Sequence, residues 1–308
     1  MTYSGSHGIH LLRIGEANMA PWTEVNGIKT YIPAAGRLNP NFGSITHRIS
    51  DSNSFYNSLQ IGALKSFSRG LRAQFSYTFS RSIDESSGVN SQDYVNGSVY
   101  VIDFYDRKAD RGLSNFWAKH VWTGNASYEL PFGKSLTGAA AFLAKGWQIN
   151  SIATAQTGHP FSVRMGFNRS GNLNTVAYAM NERPNVNPAF TGSPILGTPD
   201  RYWDINAFTL PQANQKGNLG RNTLIGPGLF NLDASMQKSF ALTESKRVEF
   251  RGEFFNTLNH PNFGAPSGFN AFTGITANGS PAIAANWGVI TSTVTSSRQV
   301  QLALKLTF

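Results

Sequence analysis

The chain has 308 residues, enough for one large all-β domain or two ordinary ones, but only 14% of them are charged and 12% are aromatic, with 22 Phe and 30 Gly. It has no cysteine, which excludes disulfide scaffolds, thiolate metal sites and Cys nucleophiles, and no run of 18 apolar residues that would make a transmembrane helix. The net charge of +9 is spread along the chain without a basic cluster or a nucleic-acid motif, so no nucleic-acid partner is expected.

Met1–Gly15 lacks the basic and apolar regions of a signal peptide, so the chain reads either as a piece of a longer precursor or as a protein that is not exported. Thr2–Ser6 looks like the tail of a strand cut off at its start. From there the dominant signal has period two, the repeat of a strand with one apolar face. It predicts strands near 55–67, 71–80, 121–130, 147–157, 229–240, 247–256 and 298–308. Leu71, Ala73, Phe75, Tyr77 and Phe79 alternate with Arg72, Gln74, Ser76, Thr78 and Ser80. Phe230, Leu232, Ala234 and Met236 alternate with Asn231, Asp233, Ser235 and Gln237. The 147–157 run puts Trp147 and Ile149 on one face but then has only small residues there, so its facing stays open. The runs have about the 9–11 residues that a tilted strand needs to cross a bilayer.

The connections alternate in length. Ser68–Gly70, Pro131–Gly146 and Ala241–Lys246 are short, whereas Arg81–Lys119, Gly158–Gly228 and Thr257–Ser297 are long and read as structureless loops. Short turns on one side and long loops on the other are the layout of outer-membrane barrels. Aromatic residues sit where two girdles belong: Phe67, Tyr128, Trp147, Phe240 and Phe308 at the short-turn ends, and Phe55, Phe79, Trp122 and Phe254 at the long-loop ends. Lys65 and Lys238 fall on apolar faces and are expected to snorkel to headgroups. The fold class is therefore all-β, an antiparallel transmembrane barrel segment of seven or eight long strands.

Two charged groups stand out. Arg247, Glu249, Arg251 and Glu253, with Asp233 before them and Lys305 after, should face the lumen, pairing across strands or lining a plug or solute path. Asp103, Asp106, Arg107, Asp110 and Arg111 sit in a long loop, as candidate ligand contacts or as a solvated segment pairing with itself. The six histidines form no ligand set, and neither a phosphate loop nor a G-x-S-x-G elbow appears. No enzyme activity, metal or cofactor is expected.

Particular motifs resemble a known family. Phe250-Arg-Gly-Glu-Phe-Phe-Asn256 followed by Asn259-His-Pro-Asn-Phe-Gly264 resembles the penultimate strand and last loop of TonB-dependent receptors, nearest to the Oar-like group that carries a carboxypeptidase-regulatory-like domain. Ser54–Gln60, Ser76–Asp84, Tyr128–Gly133, Gly146–Asn150, Gly288–Thr293 and Arg298–Phe308 match in order and spacing. The resemblance implies the later strands of a plugged barrel of about 22 strands, importing a bulky scarce ligand of the siderophore, carbohydrate or peptide class. It further implies Leu302, Leu304, Leu306 and Phe308 as the signal read by the barrel-assembly machinery. The implied partners are outer-membrane lipid and lipopolysaccharide, an N-terminal plug and upstream strands, and an energy-transducing inner-membrane complex. The plug and signal peptide are absent from these 308 residues, so the chain is not expected to close a receptor barrel alone. The alternatives are a soluble or secreted β-sandwich binding module, whose strands would average about five to six residues, and a self-contained small porin.

Overall fold

A computed structural model of the protein describes residues 1–88, 100–133, 135–174 and 182–308; parts of the Arg81–Lys119, Pro131–Gly146 and Gly158–Gly228 connections lie outside the described residues. The seven period-two runs and the N-terminal segment form eight long strands: β1 (Thr2–Glu16), β2 (Thr46–Ser68), β3 (Leu71–Asp84), β4 (His120–Glu129), β5 (Trp147–Gln156), β6 (Leu229–Ala241), β7 (Arg247–Phe255) and β8 (Gln299–Thr307). Each is hydrogen-bonded antiparallel to the next in chain order. Among the described residues no pairing joins β8 back to β1, so the sheet is open.

The register shows why the alternation matters. Phe75 lies opposite Gly124, Tyr77 opposite Trp122, Tyr128 opposite Ile149, Met236 opposite Ile149 and Gly252, and Phe250 opposite Leu304. Side chains of paired residues share a face, so the apolar sets of β2 to β8 merge into one continuous apolar surface. The other face collects Gln74, Asn125, Asn150, Ser235, Glu253 and Gln301. For β5, whose facing was open, pairing puts Ser151 and Ala153 on the apolar side, beside Ala126 and Ala234. Away from the β4–β5 turn the apolar face is largely bare among the described residues: Leu304 is 74% and Leu302 69% exposed. An uncovered apolar wall of this extent needs an apolar solvent.

Three expectations change. Thr2–Ser6 is the start of a full 15-residue strand, and β2 begins at Thr46 and runs for 23 residues. Neither extension was visible, because Gly5, Gly8 and Gly15 in β1 and the polar stretch Thr46–Asn53 carry no apolar alternation. Crossing a bilayer takes about 9–11 residues, so the added length stands beyond it on the long-loop side. There the β1–β2 ladder is interrupted by a register shift between Gly8 and Leu11, where His10 has φ of 55°.

The long connections are also folded, which the sequence reading did not anticipate. Ala17–Ile45 contains a hairpin, Trp22–Val25 with Ile28–Tyr31. Pro160–Phe161 pairs with Leu224–Ile225, Asn185–Val186 with Phe208–Thr209, and Arg164–Met165 with Asn270–Ile275. Phe161, Val163, Met165, Trp203 and Phe272 form a buried core drawn from two loops that are distant in sequence. At its foot the backbones of Gly158 and Gly226 touch so closely that a Cβ on Gly158 would strike the Gly226 carbonyl, so the exit from β5 and the return to β6 are pinned together.

Lys238 is the third correction. It does not snorkel: it is buried, and its ammonium donates to the carbonyls of Phe142 (2.5 Å), Leu143 (2.8 Å) and Lys145 (2.6 Å). These end the helix α1 (Gly138–Ala144) in the β4–β5 turn, where carbonyls have no intrahelical partner. The Trp147 indole N–H adds a bond to Leu143 O at 2.9 Å, and Phe142 packs on Phe240 with ring centroids 5.2 Å apart. The ammonium thus ties α1 to the apolar side of the wall. Lys238→Met should leave these carbonyls unpaired, at a cost of about 1–3 kcal/mol. Amide exchange across residues 138–145 should then rise about tenfold or more while the β6 ladder is unchanged; equal exchange in variant and parent would refute the tether.

Candidate functional site

The polar face of the sheet is one of two places where functional side chains gather. On it a hydrogen-bonded ladder crosses three strands. Ser127 Oγ donates to Asn150 Oδ1 at 2.6 Å, Asn150 Nδ2 to Ser235 Oγ at 3.3 Å, and Gln237 Nε2 to Gln148 Oε1 at 2.9 Å. The charged row of β7 continues this face. Arg251 pairs with Glu249 at 2.8 Å and reaches Glu253 at 3.9 Å. The pairing runs along the strand and not across it, contrary to expectation. The cross-strand neighbours of Arg251 are Gln237 and Ala303, which offer no charge. Lys305 is opposite Glu249 in register, and Arg247 opposite Thr307, but among the described residues neither makes an ion pair. Asp233 accepts from Asn231 Nδ2 at 2.9 Å and from the backbone N–H of Asn256 at 2.8 Å, which fixes the chain as it leaves β7.

The residues assigned to girdles, Phe67, Phe79, Trp122, Tyr128, Trp147, Phe240 and Phe254, all fall on the apolar face by register or alternation. Leu302, Leu304 and Leu306 line β8 on that same face, and Phe308 follows it.

The second gathering is the loop assembly, where buried charges join one loop to another. Asp103 is fully buried and accepts from Lys29 Nζ (2.6 Å), Lys216 Nζ (2.5 Å) and the Tyr31 hydroxyl (2.8 Å), so three long connections meet on one carboxylate. Asp110 pairs with Arg183 at 2.8 Å and accepts from the Ile102 N–H at 2.6 Å. Arg221 pairs with Asp84 at the end of β3, and Arg107 with Glu85 at 3.1 Å. Glu182, also buried, accepts from the N–H groups of Arg169 and Ser170. The loop also lies over the polar face, with Ser80 Oγ donating to Ala118 O (3.0 Å) and Ser82 bonding Ser114 (2.8 Å).

This corrects the reading of Asp103 and Asp110 as ligand contacts: both carboxylates are buried and spent on the protein's own cations. Asp106 caps the short turn Arg107–Asp110 through the Lys108 N–H, and Arg107 and Arg111 remain exposed. Lys29, Lys216, Arg183 and Arg221 were not singled out, because their partners lie 73 to 137 residues away in sequence.

Eight antiparallel strands with one bare apolar face, one hydrogen-bonded polar face and folded loops at one rim are the geometry of a membrane barrel wall. The family described as outer membrane beta barrel domain matches residues 1–301. The chain belongs to that family. An outer-membrane location follows, and the apolar face of the barrel domain is its lipid side. A comparison with curated proteins finds no match.

The electrostatics of the barrel domain's loops have a pH signature. Burial works against ionisation of Asp103, but Lys216 and Lys29 together outweigh it and hold the carboxyl at about 2. Burial lowers Lys29 from its ordinary value despite Asp103, and burial together with Asp103 pushes the Tyr31 hydroxyl up. A carboxyl held below its unfolded value of about 3.9 stabilises the fold fully above that pH and loses the contribution as pH falls toward about 2. Hydrogen exchange at residues 28–31, 101–105 and 214–218 should therefore lose protection between about pH 4 and pH 2. Asp103→Asn should remove it already at pH 7, since breaking a buried ion pair costs about 3–5 kcal/mol. Undiminished protection in the variant would show that the loops are held by their apolar core alone.

Proposed function

We propose that the chain forms later strands in the barrel of a TonB-dependent receptor of the Oar-like group, which imports a bulky, scarce ligand, and that it is not an enzyme. The observation that carries this reading is the open meander. Among the described residues β1 pairs beyond β2 only at Ile14, bridged to Tyr100, and β8 pairs only with β7; in hydrocarbon each unpaired group costs several kcal/mol, so a spanning sheet has to close, and we read the closure as made by further strands. A wall of many strands encloses a wide lumen, which is the space a plug domain fills. The polar ladder and the Glu249–Arg251–Glu253 row would then face that plug or the passing ligand.

The loop assembly supports the same reading. A rigid, cross-linked body above the rim is a suitable recognition platform, since its shape does not have to be ordered by the ligand. Asp103 and Asp110 hold that platform together, and recognition belongs to its exposed surface. The partners this reading requires are upstream strands, a plug and an energy-transducing inner-membrane complex.

Two measurements on the full-length gene product test it. Cysteines at Ser4 and Gln301, both on the polar face, should not cross-link within one molecule, whereas the register pair Gln237 and Arg251 should do so readily. Efficient Ser4–Gln301 cross-linking would mean a small barrel closing on itself. Deletion of the gene, and separately of the energy-transducing complex, should give the same growth defect on one member of a panel of iron chelates, oligosaccharides and peptides. Uptake that persists without energy would identify a passive pore.

A further inference from the structure

On the polar face a cleft of about 140 Å³ lies across β5, β6 and β7. By alternation along each strand, Asn150, Ile152, Asp233, Ser235, Glu253 and Phe255 turn their side chains toward it. Asp233 is opposite Ile152, and the pairing of Ala234 with Phe254 carries the register on to place Asp233 beside Phe255. Asp233 therefore lies between two large apolar side chains, with Glu253 diagonal to it across the β6–β7 pair. Ile152 and Phe255 are 59% and 42% exposed, although their partners in register on this face are Asn125 and Gln299. The result is an amphipathic seat in a row of polar side chains that faces water.

The charges of β6, β7 and β8 on this face balance in number but are segregated along the strands. Arg247 and Lys305 stand toward the short turns, where Lys305 is opposite Glu249. Asp233 and Glu253 stand toward the long loops, since Leu229 and Phe255 are the loop-side ends of β6 and β7. The cation nearest to them along these strands is Arg251, whose closer partner is Glu249 at 2.8 Å and not Glu253 at 3.9 Å. Asp233 takes its hydrogen bonds from neutral donors, Asn231 Nδ2 and the Asn256 N–H, and makes no ion pair among the described residues. The flanking strand β5 carries no charge. With Arg251 and Glu249 cancelling, the cleft keeps an excess of negative charge beside apolar surface, and such a cleft concentrates cations. It lies in the outer part of the lumen, where an incoming solute passes.

We infer that this cleft receives a basic side chain of a peptide in transit, its cation on Asp233 and Glu253 and its apolar stem and neighbours on Ile152 and Phe255. The volume fits one side chain, so the cleft reads a single residue of a longer ligand. A lysine combines a point charge with a four-carbon stem that can lie on apolar surface. Asn150 and Ser235 add amide and hydroxyl groups within reach of the peptide backbone. A carbohydrate brings no cation to the carboxylates, and a small bare cation leaves Ile152 and Phe255 uncovered. The inference rests on the transport reading and selects peptide among its ligand classes.

The test uses the full-length protein purified from outer membranes in detergent, with binding of a dye-labelled pentapeptide, Ala-Leu-Lys-Leu-Ala, measured by fluorescence anisotropy. Replacing its lysine by norleucine or glutamate should weaken binding about tenfold or more, the usual size of a charge-assisted hydrogen bond. Glu253→Gln should weaken binding of the lysine peptide about tenfold, and Asp233→Asn/Glu253→Gln on the order of a hundredfold, with the norleucine peptide unaffected. Ile152→Ser should weaken the lysine and norleucine peptides alike, by about fivefold. The Asp233→Asn change keeps an oxygen for the Asn256 N–H, and heat-modifiable gel mobility confirms that the variants are folded. Binding needs no energy source, so uptake that persists without energy would refute active transport and leave these affinities as they are. Equal binding of the lysine and glutamate peptides, a lysine preference that survives in the folded double variant, or no binding of the lysine peptide by the full-length protein would overturn the inference.

Discussion

A peptide group in hydrocarbon has no water to bond, so every N–H and C=O of a spanning strand has to find a partner in a neighbouring strand. The rest of this structure follows from that constraint. It forces the antiparallel meander of eight strands, and the meander's register in turn brings like faces together. Once β2 to β8 are in register, a residue's parity along its strand decides whether it meets lipid or the polar interior. The same constraint bears on the outer edges of β1 and β8, most of whose backbone groups have no strand partner among the described residues, and the proposal of a larger barrel rests on them.

Above the rim the constraint is lifted and the chain folds by other means. There the loops bury Trp203, Phe161, Met165 and Phe272 in an ordinary apolar core and bind to one another through Asp103, Asp110 and Asp84. The protein thus has two solvents and two ways of being stable. The wall excludes water by turning its side chains outward to lipid, and the loop assembly does so by turning them inward. Charged residues follow the division in part: the row of β7 lies along the polar face and Lys238 is an apolar-face exception, held by helix carbonyls, whereas Asp103, Asp110 and Asp84 pair with loop cations far away in sequence.

The membrane-crossing parts of β2 to β8, the facing of all of these but β5, and the alternation of short and long connections were legible in the sequence because a period-two pattern is local. What was not legible was non-local. Nothing near Asp103 in sequence announces Lys29 or Lys216, so a buried junction looked like an exposed acidic loop. Lys238 lies at an apolar-face position beside Phe240, and only the helix of the β4–β5 turn, nearly a hundred residues earlier, turns a snorkelling lysine into a buried tether. The extension of β2 back to Thr46 was hidden for a different reason: beyond the membrane a strand no longer needs an apolar face, so its signature disappears while its backbone pairing continues.

The central claim is that parity along a strand sets its environment, and the chain's lack of cysteine makes it directly measurable. Single cysteines placed in turn from Val248 to Phe254, in the folded protein in its membrane, can be challenged with a water-soluble and a lipid-soluble maleimide. The account predicts a strict alternation: aqueous labelling at Glu249, Arg251 and Glu253, and lipid-phase labelling at Val248, Phe250, Gly252 and Phe254. Uniform labelling along the strand, or aqueous labelling at Phe250 equal to that at Glu249, would contradict it.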